Sequence, residues 1–141
     1  MIDTSAWIFA LRKDFLPVVK RRIDYLLKEN SVITTGIIKL ELLGGTRTKG
    51  EFQRLKIMLE SLDSVDTDKD IWESCYKLAF NLRRKGITIP YTDIVIAACA
   101  EKTNATILHS DSHFDIMNKK LGIKVESFVD NVLDNVKNTE K

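Results

Sequence analysis

One stretch constrains this chain more than any other: Pro90-Tyr91-Thr92-Asp93-Ile94-Val95-Ile96-Ala97-Ala98-Cys99-Ala100. Seven consecutive apolar residues follow Asp93. A helix of that composition is hydrophobic on nearly every face and must be enclosed by other elements. The single carboxylate at its head sits where the first-turn backbone donors favour an anion. Capping alone would account for Asp93. Three other acids, Asp3, Glu41 and Asp111, hold comparable positions and open a second reading.

Asp3 ends the apolar run Met1-Ile2, a stub of a strand unless the chain starts further upstream. Thr4 or Ser5 can cap a helix beginning near Ala6. Helical periodicity then runs from Phe15 to Glu29, with Pro17 in the first turn. The β-branched run Ser31–Thr35 predicts a buried strand. The helix from Ile37 to Leu43, closed by Gly44-Gly45, carries Glu41 on or beside its apolar face. Thr46 to Leu62 reads as an amphipathic helix with a basic approach, whereas Ser64-Val65-Asp66 is a weak strand candidate. Asp68 or Asp70 caps the next helix, which ends in the basic turn Arg83-Arg84-Lys85-Gly86. Beyond the Asp93 helix, Ala105–Ser110 predicts a strand with Asp111 at its carboxyl end. A short helix to Leu121, a strand over Ile123–Glu126 and a helix from Phe128 to Val136 complete the chain.

Strands alternating with helices predict an α/β domain over residues 1–141, a mostly parallel sheet covered on both faces. Ligands in such sheets bind at the carboxyl ends of the strands. Asp3 and Asp111 follow strands directly, and Asp93 and Glu41 ride on helices able to reach the same edge. Four carboxylates without counter-charge would repel and take up protons. A divalent cation relieves that repulsion, and a set of hard oxygen donors selects Mg²⁺ or Mn²⁺ over zinc. Such an ion suits phosphodiester hydrolysis.

Competing chemistries find no support. A haloacid-dehalogenase-type phosphatase needs an acid two residues after Asp3, where Ser5 stands. A receiver domain needs an adjacent acidic pair after its first strand, which is missing. No Gly-x-Ser-x-Gly elbow and no phosphate-binding glycine loop occurs. His109 and His113 read as strand-end and helix-face residues. Cys75 and Cys99 lie in apolar helical patterns and read as reduced core thiols. The net charge, 22 − 20 = +2, does not by itself announce nucleic-acid binding. No signal peptide or membrane-spanning run is visible, so a cytoplasmic address is expected.

These residues, in this order, resemble a PIN domain, and in particular the VapC-type toxins of prokaryotic toxin–antitoxin pairs. Ile2-Asp3-Thr4-Ser5-Ala6-Trp7-Ile8 is similar to the family's opening motif, and Ile38-Lys39-Leu40-Glu41-Leu42 to its second. Thr92–Ala100 resembles the third, and Leu108-His109-Ser110-Asp111-Ser112-His113-Phe114-Asp115 the fourth. In that fourth motif the family often carries a further acid two residues after the aspartate, where this chain has His113. The resemblance implies a PIN-like three-layer fold, with a central, mostly parallel sheet flanked by helices. It also implies a metal-dependent endoribonuclease in which Asp3, Glu41, Asp93 and Asp111 hold Mg²⁺ or Mn²⁺. Ser5, Ser110 and Asp115 would support those carboxylates from behind, and Lys39, Arg47 and Lys49 would draw in RNA phosphates. A homodimer and a cognate antitoxin partner are further implications. A housekeeping PIN nuclease of RNA processing, or a PIN fold that only binds RNA or protein, are the alternatives.

Overall fold

The computed structural model describes residues 1–12 and 16–140, so Phe15, expected to open the second helix, lies outside the described residues. Contacts divide the chain into two units, Met1–Val32 with Thr106–Lys141, and Ile33–Ala105.

The first unit is built on β3 (Ile107–His109), which is buried along its length. β4 (Val125–Ser127) runs parallel to it, with Ile107 opposite Val125 and His109 opposite Ser127. On the other side the expected stub strand is reduced to one parallel bridge, Ile2 to Leu108. The backbone N–H of Asp3 donates to the Leu108 carbonyl at 2.9 Å, and that of Leu108 to the Met1 carbonyl at 2.9 Å. Helix α1 (Thr4–Leu11) starts at once, with Asp3 as its N-cap, and packs on β3 and on α2 (Pro17–Lys28). The cap is thus one residue before Thr4 and two before Ser5, the expected candidates. Helix α7 (Ser112–Leu121) packs on β4. It stops at Gly122, whose φ of +72° is a left-handed conformation that glycine adopts without a Cβ penalty. Helix α8 (Val129–Thr139) completes this unit.

In the second unit β1 (Ile33–Thr35) pairs in parallel with β2 (Asp63–Val65), with Ile33 opposite Asp63 and Thr35 opposite Val65. The weak strand candidate is therefore a strand, shifted one residue toward the N-terminus. Pairing to a buried neighbour outweighs the poor β-propensity of Asp and Ser. Thr35 caps α3 (Gly36–Gly44) through its hydroxyl. Thr48 caps α4 (Lys49–Glu60), and Asp68 rather than Asp70 caps α5 (Lys69–Arg84). Helix α6 (Tyr91–Lys102) is buried from Asp93 through Ala100 and packs on α3 and α5. Cys75 and Cys99 are both buried and unbridged, as their patterns suggested.

The small side chains of α6 set how closely its neighbours approach. Ala97 is fully enclosed. Ala97→Leu is expected to cost about 1–3 kcal/mol through overpacking, read as a lower midpoint in urea unfolding. An unchanged midpoint would show that α6 lies in a looser environment than its burial indicates.

Candidate functional site

In the first unit, the carboxyl ends of the Ile2 bridge and of β3 bring Asp3 and Asp111 into electrostatic contact. Asp3 is 4% exposed and accepts from the Ser5 backbone N–H at 3.0 Å and from the Ser5 hydroxyl at 2.5 Å, both on Oδ2. The Ser5 hydroxyl accepts in turn from the Ser110 N–H at 3.0 Å, and the Ser110 hydroxyl donates to the Ser5 carbonyl at 2.9 Å. These reciprocal bonds tie the loop before Asp111 to the first turn of α1. Burial pushes the Asp3 carboxyl above its ordinary range; the Ser5 donors oppose this and the Asp111 carboxylate adds to it. An acid so placed is suited to a hard divalent cation, which would supply the positive charge that Ser5 does not.

Asp111 is the N-cap of α7, its Oδ1 accepting from the His113 N–H at 2.9 Å. The His113 ring Nδ1 lies 3.1 Å from the same oxygen. The backbone N–H of Asp111 donates to Nδ1 of His109 at 3.1 Å. His109 is fully buried; its Nε2 lies 3.2 Å from Asp115 Oδ1 without the alignment of a hydrogen bond. Asp115 Oδ2 accepts from the Ser127 hydroxyl at 3.0 Å. Burial holds the imidazole below its ordinary range, although Asp115, Asp3 and Asp111 all favour the cation. The neutral form is further favoured by the N–H from Asp111, which needs the Nδ1 lone pair. Sequence reasoning preferred a strand-end residue over a general base or metal ligand for His109. The signal was a polar ring in an otherwise apolar strand, two residues before an acid.

The other expected residues belong to the second unit. Asp93 is the third residue of α6, 7% exposed, and its backbone N–H donates to the Pro90 carbonyl at 3.0 Å. The N-cap is Pro90, so capping does not explain this carboxylate. Glu41 is exposed on α3, with Lys39 half-buried beside it. Arg47 and Lys49 are exposed at the start of α4, the Arg47 N–H donating to Glu51 at 2.9 Å.

The sign of the Asp3 shift fixes a stability test. A carboxyl raised in the folded chain keeps its proton to higher pH than in the unfolded chain. Stability therefore falls as pH climbs from the unfolded carboxyl range through the folded value, and the full cost stands above it. Asn retains the capping acceptor. Asp3→Asn is expected to gain roughly 0.5–2 kcal/mol at pH 7.5 without divalent ions, the gain shrinking toward pH 4. Urea unfolding across pH checks this, and a variant less stable at pH 7.5 would contradict it.

Residues 1–120 match the PIN domain family, a span that includes all four acids. Ribonuclease VapC11 of Mycobacterium tuberculosis is 29% identical over 134 residues, covering 91% of this chain and 98% of that protein. Ribonuclease VapC51 of the same organism is 28% identical over 124 residues, 83% of either chain. Among solved structures, VapBC2 from Rickettsia felis, bound to a DNA fragment from its promoter, contains a similar chain. It has a TM-score of 0.74 at 22% identity, covering 91% of this chain and 97% of that one. VapBC-1 from nontypeable Haemophilus influenzae gives a TM-score of 0.72 at 19% identity, with coverage of 92% and 97%. The expected α/β class with parallel strands is the fold found, and the chain belongs to the PIN domain family.

Proposed function

We propose that this chain is a divalent-metal-dependent endoribonuclease and the toxin of a type II toxin–antitoxin pair. The observation that carries this reading is Asp3, a buried carboxylate whose charge is opposed by its surroundings and by Asp111, in a chain whose family relatives are named ribonucleases. In this reading residues 1–141 act as one domain, and Asp3, Glu41, Asp93 and Asp111 together hold Mg²⁺ or Mn²⁺. An ion there would polarise a phosphoryl oxygen and ease loss of a proton from water. Ser5 and Ser110 keep Asp3 and the Asp111 loop in register, and Asp115 supports them from α7. Lys39, Arg47 and Lys49 attract the RNA backbone through a local patch. Among the described residues no helix is long and apolar enough to cross a membrane, and we assign the protein to the cytoplasm.

The test is digestion of total RNA with Mg²⁺, Mn²⁺ or EDTA, wild type beside Asp93→Asn. Discrete products that need the cation and vanish in the variant are expected. Cleavage that persists in EDTA or in the variant would sink the assignment.

Partners follow from the same reading. The similar chains of known structure were solved in complexes named VapBC and toxin–antitoxin, and we assign a cognate antitoxin here. We also assign a homodimer, with a surface that suits it. Helix α5 exposes Trp72, Tyr76 and Phe80 at four-residue spacing, one stripe of its outer face. The Trp72 and Tyr76 rings are stacked 6.5 Å apart, and the Arg84 guanidinium lies 5.5 Å from the Phe80 ring centre. Asp68, Asp70 and Glu73 stand at one end of this helix, and Arg83, Arg84 and Lys85 at the other. Two copies laid antiparallel about Tyr76 would cover the stripe and set each acidic end against a basic one. Tyr76→Asp is expected to turn a dimer into a monomer in light scattering, with helix content kept. A wild type already monomeric at high micromolar concentration would refute the interface.

A further inference from the structure

We propose that His109 is a positioning residue for Asp111, its ring held as the Nε2–H tautomer so that Nδ1 fixes the Asp111 backbone and thereby aims the carboxylate. This rests on reading Asp111 as a metal ligand.

The geometry assigns the tautomer. An N–H from Asp111 meets Nδ1 at 3.1 Å, so Nδ1 must offer a lone pair and the ring proton belongs on Nε2. Nε2 lies 3.2 Å from Oδ1 of Asp115, whose other oxygen accepts from the Ser127 hydroxyl at 3.0 Å. His109 is itself fixed at both ends. Its carbonyl accepts from the Phe128 N–H at 2.8 Å, and its ring lies tilted against Phe114 with centres 5.2 Å apart. Asp111 is then held at its backbone by His109 and at Oδ1 by the His113 N–H, at 2.9 Å. Two such restraints leave the acid little freedom to turn.

The residue type argues the same way. Ile107 and Leu108 fill β3 with apolar atoms, and a third aliphatic residue would fill this fully buried position with no imidazole to desolvate. A buried imidazole loses its hydration and is tolerated when its nitrogens meet partners. The partner met with hydrogen-bond geometry is the backbone of Asp111. Groups behind metal ligands commonly set ligand direction and basicity, and their loss weakens metal binding.

Two substitutions separate positioning from packing. His109→Phe keeps the ring against Phe114 and removes the acceptor. His109→Asn keeps an acceptor one bond from Cγ, where Nδ1 stands, and gives up the ring. Mn²⁺ titration by calorimetry and thermal melting without metal are measured on the full chain. Mn²⁺ affinity is expected to fall at least about tenfold in the Phe variant and to stay within about threefold in the Asn variant. Melting should show the reverse order, the Asn variant being the less stable. Affinity that simply follows stability, with Asn the weaker binder, overturns the proposal. Ring-nitrogen NMR of the metal-free wild type provides a separate readout: a proton on Nε2 supports it, and one on Nδ1 overturns it whatever the metal does. Failure of the wild type to bind Mn²⁺ overturns instead the metal-ligand reading of Asp111, and with it this role for His109.

Discussion

The first unit depends on keeping the Asp3 carboxylate out of water. Asp3 serves three demands at once. Its N–H extends the backbone pairing to β3, its carbonyl accepts from Ala6 and Trp7 to start α1, and its side chain caps that helix. The local backbone thus requires an acceptor at this position. Asn, Ser or Thr would satisfy the cap with no charge to desolvate. An aspartate there carries a cost that local structure does not explain, and a second acid, Asp111, adds to it. Costs of this kind collect at functional sites, where stability is given up for chemistry.

The surrounding structure holds the acids rather than neutralising them. Ser5 and Ser110 exchange hydrogen bonds across more than a hundred residues of sequence, so the turn into α1 and the turn into α7 are tied together. Each acid then caps its own helix and is held at its backbone by β3 or by a residue of β3. Parallel strands make this possible. Their carboxyl ends point the same way, and each leads into a helix whose first turn presents donors to an acid.

Part of this was legible in the chain. The positions of Asp3 and Asp111 follow from where apolar runs end, and the burial of α6 from its lack of a polar face. Other features were not. Asp93 invites reading as a cap, yet Pro90 holds that place because a proline needs no N–H at the helix start. The strand at Asp63–Val65 has no composition to announce it, since its pairing partner lies about thirty residues earlier and supplies the hydrogen bonds. His109 looked unremarkable because its burial and its neighbours Phe114 and Asp115 appear only once α7 has folded back.

What the sequence determined by itself is the alternation of elements, the enclosed helix and the kinds of ligand atom available: hard oxygens, no thiolate set. Periodicity and residue type act over one or two turns, and those features are local. Tertiary structure decided that Ser5 and Ser110 are tied together, that Asp3 feels the charge of Asp111 and that burial raises the Asp3 carboxyl. Those quantities depend on distances between residues far apart in the chain and on how much water is excluded around them, and neither is set by any local stretch.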